Sequence, residues 1–201
     1  MTPKKILIGT QNPDKLKEIR TILSFIPDIE TISLDKIASF QEIEETGSTY
    51  EENAFLKAES FSKMSGLPCI ADDTGLEVDF LGGKPGIHSA RWAGVVGKGR
   101  YEANNEKLLN ALMGVPPEGR KARFVCVMVL VYHSKCLLSC RGECQGTILT
   151  AARGVQGFGY DPLFEEAQSR KTFAEMDEET KNRISHRARA LAEFVRQFST
   201  L

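Results

Sequence analysis

The fold is decided by the stretch Cys69-Ile70-Ala71-Asp72-Asp73-Thr74-Gly75-Leu76-Glu77-Val78-Asp79. An apolar segment typical of a buried strand runs into two adjacent carboxylates, and the alternating pattern of a second strand resumes at Leu76. Carboxylates at the end of a buried strand repel each other and cost free energy to desolvate. Two interpretations follow. The pair is a site for a hard cation such as Mg²⁺, which prefers oxygen ligands, or it is an Asp-rich turn closed by Gly75.

Length and composition are those of a soluble globular protein with one core or two lobes sharing one. The chain has 201 residues, of which 41% are hydrophobic and 26% charged, and its formal net charge is −1. The near-neutral charge argues against a nucleic-acid partner, and no apolar run reaches membrane-spanning length. The five cysteines lack the paired close spacing of a zinc site. The first residues leave no room for a secretory signal, so we expect a cytoplasmic protein without a membrane partner.

A strand followed by a helix is predicted at the start of the chain. The apolar run that ends at Thr10 reads as a buried strand, Asn12 suits a helix N-cap, and Pro13 suits the first helical position. Lys15 then stands in the first helical turn, where a cation opposes the helix dipole. A bound phosphate would remove this conflict, because the helix N–H groups and the ammonium would both face it. The alternative is a solvated lysine.

The next predicted helix opens at a capping box of Thr49 and Glu52 and ends at Gly66. Asn53 and Lys57 lie four residues apart and therefore share one face of this helix. Farther along, residues 123–132 and 136–149 have the alternation of an antiparallel β-hairpin.

The last third of the chain contains an aromatic segment and a basic segment. Phe158 stands between Gly157 and Gly159, where a mobile backbone supports a core ring poorly. The ring suits a planar ligand, or else it covers the end of the sheet. A capping box at Thr172 opens the C-terminal helical region, and Ser185 either begins a fresh helix there or lies within one that runs through.

Five blocks of the chain resemble the noncanonical purine nucleoside triphosphate pyrophosphatases, also called inosine or xanthosine triphosphate pyrophosphatases. Their order and spacing carry the resemblance over nearly the whole chain. The family usually has Gly in place of Gln11 and often Ser in place of Thr74. The blocks are Thr10-Gln11-Asn12-Pro13-Asp14-Lys15, Glu52-Asn53-Ala54-Phe55-Leu56-Lys57-Ala58, Ala71-Asp72-Asp73-Thr74-Gly75-Leu76, Leu81-Gly82-Gly83-Lys84-Pro85-Gly86, and Gly157-Phe158-Gly159-Tyr160-Asp161-Pro162 with Lys181-Asn182-Arg183-Ile184-Ser185-His186-Arg187.

The resemblance implies an α/β fold in which an elongated mixed β-sheet is flanked by helices. Residues 1–201 would form a single pyrophosphatase domain of two lobes, with the active site in the cleft between them. The implied activity is hydrolysis of ITP, dITP and XTP to the nucleoside monophosphate and pyrophosphate, which cleanses the nucleotide pool. The resemblance also implies Mg²⁺ as the cofactor and a homodimer as the assembly.

The resemblance assigns a role to each matching residue. Asp73 would be the catalytic carboxylate, both a metal ligand and the acceptor of the proton from water, and Glu44 would be a second metal ligand. The triphosphate would be held by Thr10, Gln11, Asn12, Pro13, Asp14, Lys15 and Lys57. Substrate contacts would also come from Thr74, the base and sugar would be held by Phe158, Gly159, Tyr160 and Asp161, and the purine edge would be read by Lys181, His186 and Arg187.

Two other classes of protein compete with this interpretation. A phosphomonoesterase with an aspartyl nucleophile usually separates two aspartates by one residue near its first strand, whereas Asp72 and Asp73 are adjacent and belong to a later one. A non-enzymatic nucleotide- or nucleic-acid-binding module does not need carboxylates suited to a metal. Release of pyrophosphate, of monophosphate or of neither distinguishes the three classes.

Overall fold

The computed structural model describes residues 4–37 and 43–201. The strands of this part are β1 (Lys5–Ile8), β2 (Glu30–Ser33), β3 (Cys69–Val78), β4 (Pro85–Gly86), β5 (Lys121–Tyr132), β6 (Lys135–Ile148) and β7 (Phe164–Glu166). The α-helices are α1 (Pro13–Leu23), α2 (Tyr50–Ser65), α3 (Arg100–Ala111), α4 (Glu178–Ile184) and α5 (His186–Phe198). In these two ranges, no helix has the length and apolar character needed to cross a membrane.

The strands form one mixed sheet in the order β2-β1-β3-β5-β6-β7, and β4 pairs with β3. Strand β1 runs parallel to both β2 and β3, with Leu7 opposite Cys69 and Ile8 opposite Ile70 in the second pair. Strand β4 is antiparallel to β3, and β7 is antiparallel to β6. The prediction of an α/β fold with a mixed sheet is confirmed.

The predicted hairpin is formed by β5 and β6, which are neighbours in the sheet and are joined by two residues. So short a connection allows only an antiparallel pair. Both connecting residues have positive φ, 49° for His133 and 60° for Ser134. This is the pattern of a type I′ turn, whose twist matches the right-handed twist of the strands.

The predicted break in the carboxylate stretch is wrong. Strand β3 runs without interruption from Cys69 to Val78, so Asp72 and Asp73 lie within it and Thr74-Gly75 is not a turn. Consecutive residues of a strand point to opposite faces of the sheet. The two carboxylates are therefore separated by the strand itself, which reduces their mutual repulsion.

The capping box at Thr172 is present, but the element that it begins is the short 3₁₀ turn Phe173–Glu175 and not a long helix. Helix α4 has its own N-cap, Asp177, whose side chain accepts from the N–H of Thr180. The alternatives left open at Ser185 are now decided. Ser185 has an extended conformation (φ −66°, ψ 161°), and a fresh helix, α5, begins at the next residue.

The chain divides into two compact units. The first unit contains Met1–Asp73, Cys126–Gly142 and Arg187–Leu201, and the second contains Thr74–Val125 and Glu143–His186. In the first unit, apolar side chains of β1, β3, β5 and β6 pack with those of α1 and α5. From Cys126 to Leu130, every second residue of β5 belongs to this core, and α5 supplies residues at helical spacing, as an amphipathic helix on a sheet requires.

The second unit has an aromatic core. The ring of Phe124 packs edge to face on Phe164 at 4.7 Å and is stacked on Phe173 at 5.7 Å. Beside this core lies the buried guanidinium of Arg120, which donates to the backbone carbonyls of Leu112, Ile148 and Leu149 at 2.7, 2.7 and 2.8 Å. Arg120 thereby ties the C-terminus of α3 to the end of β6.

Candidate active site

Asp72 and Asp73 lie side by side in β3 and are 2% and 5% exposed. On one face of the strand, Asp72 Oδ2 is 2.8 Å from the ammonium of Lys15 and 3.5 Å from the guanidinium of Arg187. On the other face, Asp73 Oδ1 is 3.0 Å from the ammonium of Lys57, and its Oδ2 accepts from Asn53 Nδ2 at 3.4 Å. Asp72 is therefore stabilised by cations from α1 and α5, and Asp73 by a cation from α2. These partners explain why two acidic residues are tolerated inside a buried strand.

The two carboxyl groups have opposite pKa shifts. Burial alone would raise the pKa of Asp72, but the charges of Lys15, Arg187 and Lys57 outweigh burial and hold this pKa well below its usual value. For Asp73, burial raises the pKa, and Lys57 and Lys15 compensate only in part, since the nearby Glu45 raises it further. Asp72 is thus fixed in its charged form, whereas Asp73 has gained proton affinity, as a general base requires.

The predicted helix start after β1 is confirmed. The side-chain oxygen of Asn12 accepts from the N–H groups of Asp14 and Lys15, and Pro13 is the first residue of α1. Gly9 allows close packing here, because a Cβ at this position would lie 2.8 Å from Cys69 Sγ and 2.9 Å from the ring of Phe61.

The structure provides a different counter-charge for Lys15 from the one expected. A phosphate was predicted to offset this cation in the first turn of α1, but Asp72 already does so within the fold. Of the other residues in this segment, Gln11 is exposed and Thr10 is half-buried, with its hydroxyl accepting from the N–H of Asn12 at 3.2 Å.

Glu45 is a residue of the site that sequence reasoning missed. Its carboxylate lies 2.8 Å from the ammonium of Lys57, the same group that contacts Asp73. Glu44, which was predicted as a metal ligand, is exposed. The segment is anchored by Gly47, whose N–H donates to Asn53 Oδ1 at 2.8 Å. Asn53 and Lys57 share one helical face, and both side chains reach Asp73. Their spacing was therefore a signal in the sequence for this part of the site.

Arg187, which the resemblance assigned to the purine edge, lies in the first unit, and that role stays a prediction. Its side chain is 2% exposed, and it forms salt bridges with Glu18 of α1 and with Asp72, all in the first unit. Burial would lower its pKa, but the charges of Glu18 and Asp72 raise it further above its usual value. Arg187 in this structure neutralises buried carboxylates. We call the seven ionised residues of this group the carboxylate cluster: Lys15, Glu18, Glu45, Lys57, Asp72, Asp73 and Arg187.

A second group of predicted residues is assembled in the second unit. The carboxylate of Asp161 accepts from the backbone N–H of Phe158 at 2.8 Å and pairs with the ammonium of Lys181 at 2.8 Å. That ammonium also lies 4.9 Å from the centroid of the Phe158 ring. The ring of Tyr101 lies 6.1 Å from the same ring at an angle of 42°. We call Tyr101, Phe158, Asp161 and Lys181 the aromatic cluster.

Glycine is needed next to Phe158. Gly157 has φ +73°, and a Cβ built there would lie 2.1 Å from Asp161 Oδ2. The carbonyl of Gly159 accepts from Asn105 Nδ2 of α3 at 3.0 Å. The glycines that appeared to leave the ring mobile therefore allow the backbone to wrap around a carboxylate, and Phe158 is held in place by hydrogen bonds.

The remaining predicted residues of the second unit have varied environments. Tyr160 is buried, and its hydroxyl donates to the carbonyl of Ser89 at 2.9 Å. His186 is 3% exposed and stacks on the Phe124 ring at 4.6 Å and 13°. Thr74 is half-buried in β3. Tyr160 and His186 therefore pack in the core of the second unit, and their contacts with substrate stay predictions.

The likeness to known proteins extends over the whole chain. The Ham1 family matches residues 6–197. A dITP/XTP pyrophosphatase of Syntrophobacter fumaroxidans is 50% identical over 193 residues, covering 96% of this chain and 81% of the relative. A dITP/XTP pyrophosphatase of Geobacter sulfurreducens is 46% identical, with coverages of 94% and 93%. Among solved structures, a HAM1 protein from Coxiella burnetii has a TM-score of 0.88 at 36% identity and covers 98% of this chain and 99% of its own.

Proposed function

The chain belongs to the Ham1 family, and we propose that it hydrolyses ITP, dITP and XTP to the nucleoside monophosphate and pyrophosphate. Relatives of nearly full length are dITP/XTP pyrophosphatases. One observation in this chain carries the mechanism. Two adjacent buried carboxyl groups have opposite pKa shifts, and each faces its own lysine.

In the proposed reaction, water attacks the α-phosphorus, and the bond from that phosphorus to the bridging oxygen of the β-phosphate breaks. Asp73 accepts the proton of the attacking water, because burial raises the pKa of its carboxyl group and thereby increases its proton affinity. Pyrophosphate leaves with the bond electrons. Phosphoryl chemistry of this kind depends mainly on positioning and charge stabilisation.

Lys15 and Lys57 are the proposed triphosphate contacts of the carboxylate cluster. Both ammonium groups are largely shielded from water, with side-chain exposures of 18% and 13%. Burial would lower the pKa of Lys57, but the charges of Asp73, Glu45 and Asp72 raise it, so this lysine stays charged. Two lysines held in place by carboxylates are already oriented before substrate arrives, which reduces the cost of positioning them. The segment from Thr10 to Asp14 contributes backbone and side-chain groups at the start of α1.

A divalent cation, Mg²⁺, is the proposed cofactor. In the two described ranges, no cluster of three or more His, Cys, Asp or Glu side chains is arranged to hold a metal. Two carboxylates do converge, since Asp73 and Glu45 contact the same ammonium of Lys57. Mg²⁺ is commonly held by one or two carboxylates together with substrate phosphates, so this donor set fits it, with Glu45 better placed than the exposed Glu44. The cation would neutralise charge that develops on the phosphates.

The aromatic cluster is the proposed site of the base and sugar. Phe158 offers a ring for stacking, and Asp161 and Lys181 hold its backbone and one side of the ring. Lys181, whose ammonium lies over the Phe158 ring, is the proposed donor for a 6-keto oxygen. Such a donor would disfavour adenine, which presents an amino group at that position.

A homodimer is the proposed assembly, as the family resemblance implies. Trp92 was suggested as part of the contact, and in this structure its half-buried ring lies 5.2 Å from the ammonium of Lys107. Sedimentation across micromolar concentrations tests this proposal. A species of only 22.3 kDa would refute it.

A panel of nucleoside triphosphates scored for the released phosphate species tests the activity. We expect pyrophosphate from ITP, dITP and XTP, little from ATP or GTP, and loss of turnover in EDTA. Release of inorganic monophosphate from nucleoside monophosphates or other monoesters would favour the phosphomonoesterase. Binding without turnover of any nucleotide would favour a passive binding module.

A further inference from the structure

Tyr101 is part of the aromatic cluster, although neither its type nor its position was a signal in the sequence. Its ring centroid lies 6.1 Å from that of Phe158, and the two planes are tilted by 42°. The Phe158 backbone is fixed by the N–H bond to Asp161, so the spacing of the two rings is a property of the folded chain and not of a mobile loop. Two tilted rings at this distance are in direct contact, so a planar molecule that stacks on one of them lies next to the other.

Helix α3 carries Tyr101 toward the glycine-rich loop. Four residues after Tyr101, on the same side of the helix, Asn105 Nδ2 donates to the carbonyl of Gly159 at 3.0 Å. The core side of α3 is formed by Leu108, which is fully buried in the second unit. Tyr101 is half-buried. Its placement beside Phe158 is thus fixed by a neighbouring hydrogen bond, and its ring keeps an accessible surface.

Arg100, the residue before Tyr101, restricts the position of the Tyr101 ring. Its guanidinium donates to the Tyr101 hydroxyl at 2.8 Å and lies 4.7 Å from the centroid of the ring. A guanidinium over an aromatic face is attractive and restricts the ring. The second unit therefore presents two restrained rings, each with a cation beside it: Arg100 for Tyr101 and Lys181 for Phe158.

We infer that Tyr101 is a second aromatic contact for the purine base and determines the affinity of the enzyme for its nucleotide. The inference rests on the proposed function, because it assumes that a purine stacks on Phe158. A bicyclic base on that ring lies within reach of Tyr101. Stacking on aromatic side chains depends little on base identity, so Tyr101 contributes affinity and not discrimination between ITP and ATP.

The test combines kinetics with binding of IMP, which needs no hydrolysis. Tyr101→Ala is expected to raise KM for ITP, and the Kd for IMP measured by calorimetry, by roughly 5- to 150-fold. The value of kcat should stay within about twofold, since contacts made equally in ground and transition states change KM alone. Tyr101→Phe keeps the ring and should bind IMP nearly as well as the parent enzyme.

Two further variants separate stacking from packing. Tyr101→Leu fills the space beside Phe158 with an apolar group and no ring, so we expect it to bind as weakly as Tyr101→Ala. Tyr132→Ala is the matched control, because Tyr132 is also half-buried and its ring lies 3.8 Å from His133 in the hairpin turn of the first unit. Its KM and Kd should match those of the parent.

Distinct outcomes overturn the inference and the proposed function. Unchanged IMP affinity in Tyr101→Ala, or full affinity in Tyr101→Leu, would show that the ring does not stack on the base. A kcat loss at unchanged KM would have the same meaning. If the parent enzyme binds IMP with the predicted dependence on Tyr101 yet releases no pyrophosphate from ITP, the proposed activity fails while the inference stands. If the parent releases pyrophosphate from ITP but does not bind IMP, the inference fails while the proposed activity stands.

Discussion

The carboxylate cluster and the aromatic cluster handle buried charge differently. In the first, four carboxylates (Glu18, Glu45, Asp72 and Asp73) form a shared network with three cations (Lys15, Lys57 and Arg187). In the second, one carboxylate, Asp161, pairs with one lysine, and the rest of the surface is aromatic. This difference matches the proposed division, in which the carboxylate cluster holds the cation and the triphosphate and the aromatic cluster holds the base.

Removal of the Asp73 carboxylate should give the largest effect. Asp73→Asn keeps the shape but removes the proton acceptor, so we expect kcat for ITP to fall by roughly 10²- to 10⁴-fold. Stability at pH 7 should be unchanged or higher, because the raised pKa means that the charged form is disfavoured in the fold.

Pyrophosphate release and thermal unfolding of the same preparation measure both effects of Asp73→Asn. Asn53→Asp is not a suitable control, since it adds a charge. Glu44→Gln is a suitable control, because Glu44 is next to Glu45 in the sequence and its side chain is exposed. Near-parental turnover by a folded Asp73→Asn protein would remove Asp73 from the mechanism.

Removing one cation from each cluster should lower the free energy of unfolding by different amounts. Arg187→Met leaves Glu18 and Asp72 without that partner in a buried setting, so we expect a loss of about 3–5 kcal/mol in the free energy of unfolding. Lys181→Met affects one carboxylate, Asp161, which keeps its bond from the Phe158 N–H, so its cost should be smaller. Urea unfolding measures both.

The matched control for these two variants is Arg183→Met. Its side chain is 73% exposed and pairs with Glu179, so the expected change is below about 1 kcal/mol. A cost for Lys181→Met equal to that for Arg187→Met would break the proposed contrast between a shared network and a single pair.

Glycine substitutions probe how closely each cluster is packed by backbone. Gly157→Ala places a methyl group 2.1 Å from Asp161 Oδ2 at φ +73°, so both clash and strain oppose it, and we expect about 1–3 kcal/mol of destabilisation with a higher KM. Gly47→Ala meets Asn53 Oδ1 and Glu52 Cβ at 2.7 Å, and should cost less while lowering kcat through displacement of Glu45. Equal effects on KM from both variants would contradict the division between clusters.

The smallest expected effect is a pH dependence within the carboxylate cluster. The pKa of Asp72 is lowered by folding, so its charged form stabilises the protein above its unfolded pKa of about 4, and this stability is lost as pH falls below that value. The pKa of Asp73 is raised by folding, so its charged form costs stability above the folded pKa, and this cost disappears as pH falls through it.

Unfolding free energies of Asp72→Asn and Asp73→Asn at pH values from 7 to about 3 measure these opposite dependences. Asp72→Asn should be less stable than the parent at pH 7, with the difference narrowing below about pH 4. Asp73→Asn should be as stable or more stable at pH 7, with its advantage vanishing on acidification. Parallel curves for the two variants would show that the two faces of β3 are not electrostatically distinct.

Local signals predicted much of the fold. Asn12 and Pro13 begin α1, Thr49 caps α2, Gly66 ends it in a left-handed conformation, and the hairpin of β5 and β6 lies where alternation placed it. These features depend on residues only a few positions apart, so the physical causes are visible in sequence.

Features that depend on distant partners could not be predicted in the same way. The strand β3 continues through Asp72 and Asp73 because Lys15 and Lys57 neutralise them, and these lysines lie 57 and 16 residues away in sequence. The role of Arg187 depends on Glu18, which is 169 residues away. A basic residue near a family motif was interpreted as a ligand contact, because nothing local indicates a buried partner.

The path of the chain has a consequence for how such a protein can be altered. The boundary between the units falls at residues 73/74, 125/126, 142/143 and 186/187, so the chain crosses it four times, and three of those crossings lie inside β3, β5 and β6. Neither unit is therefore encoded by a single contiguous stretch of gene. A recombination event that exchanges one contiguous stretch of gene therefore cannot exchange one complete unit by itself.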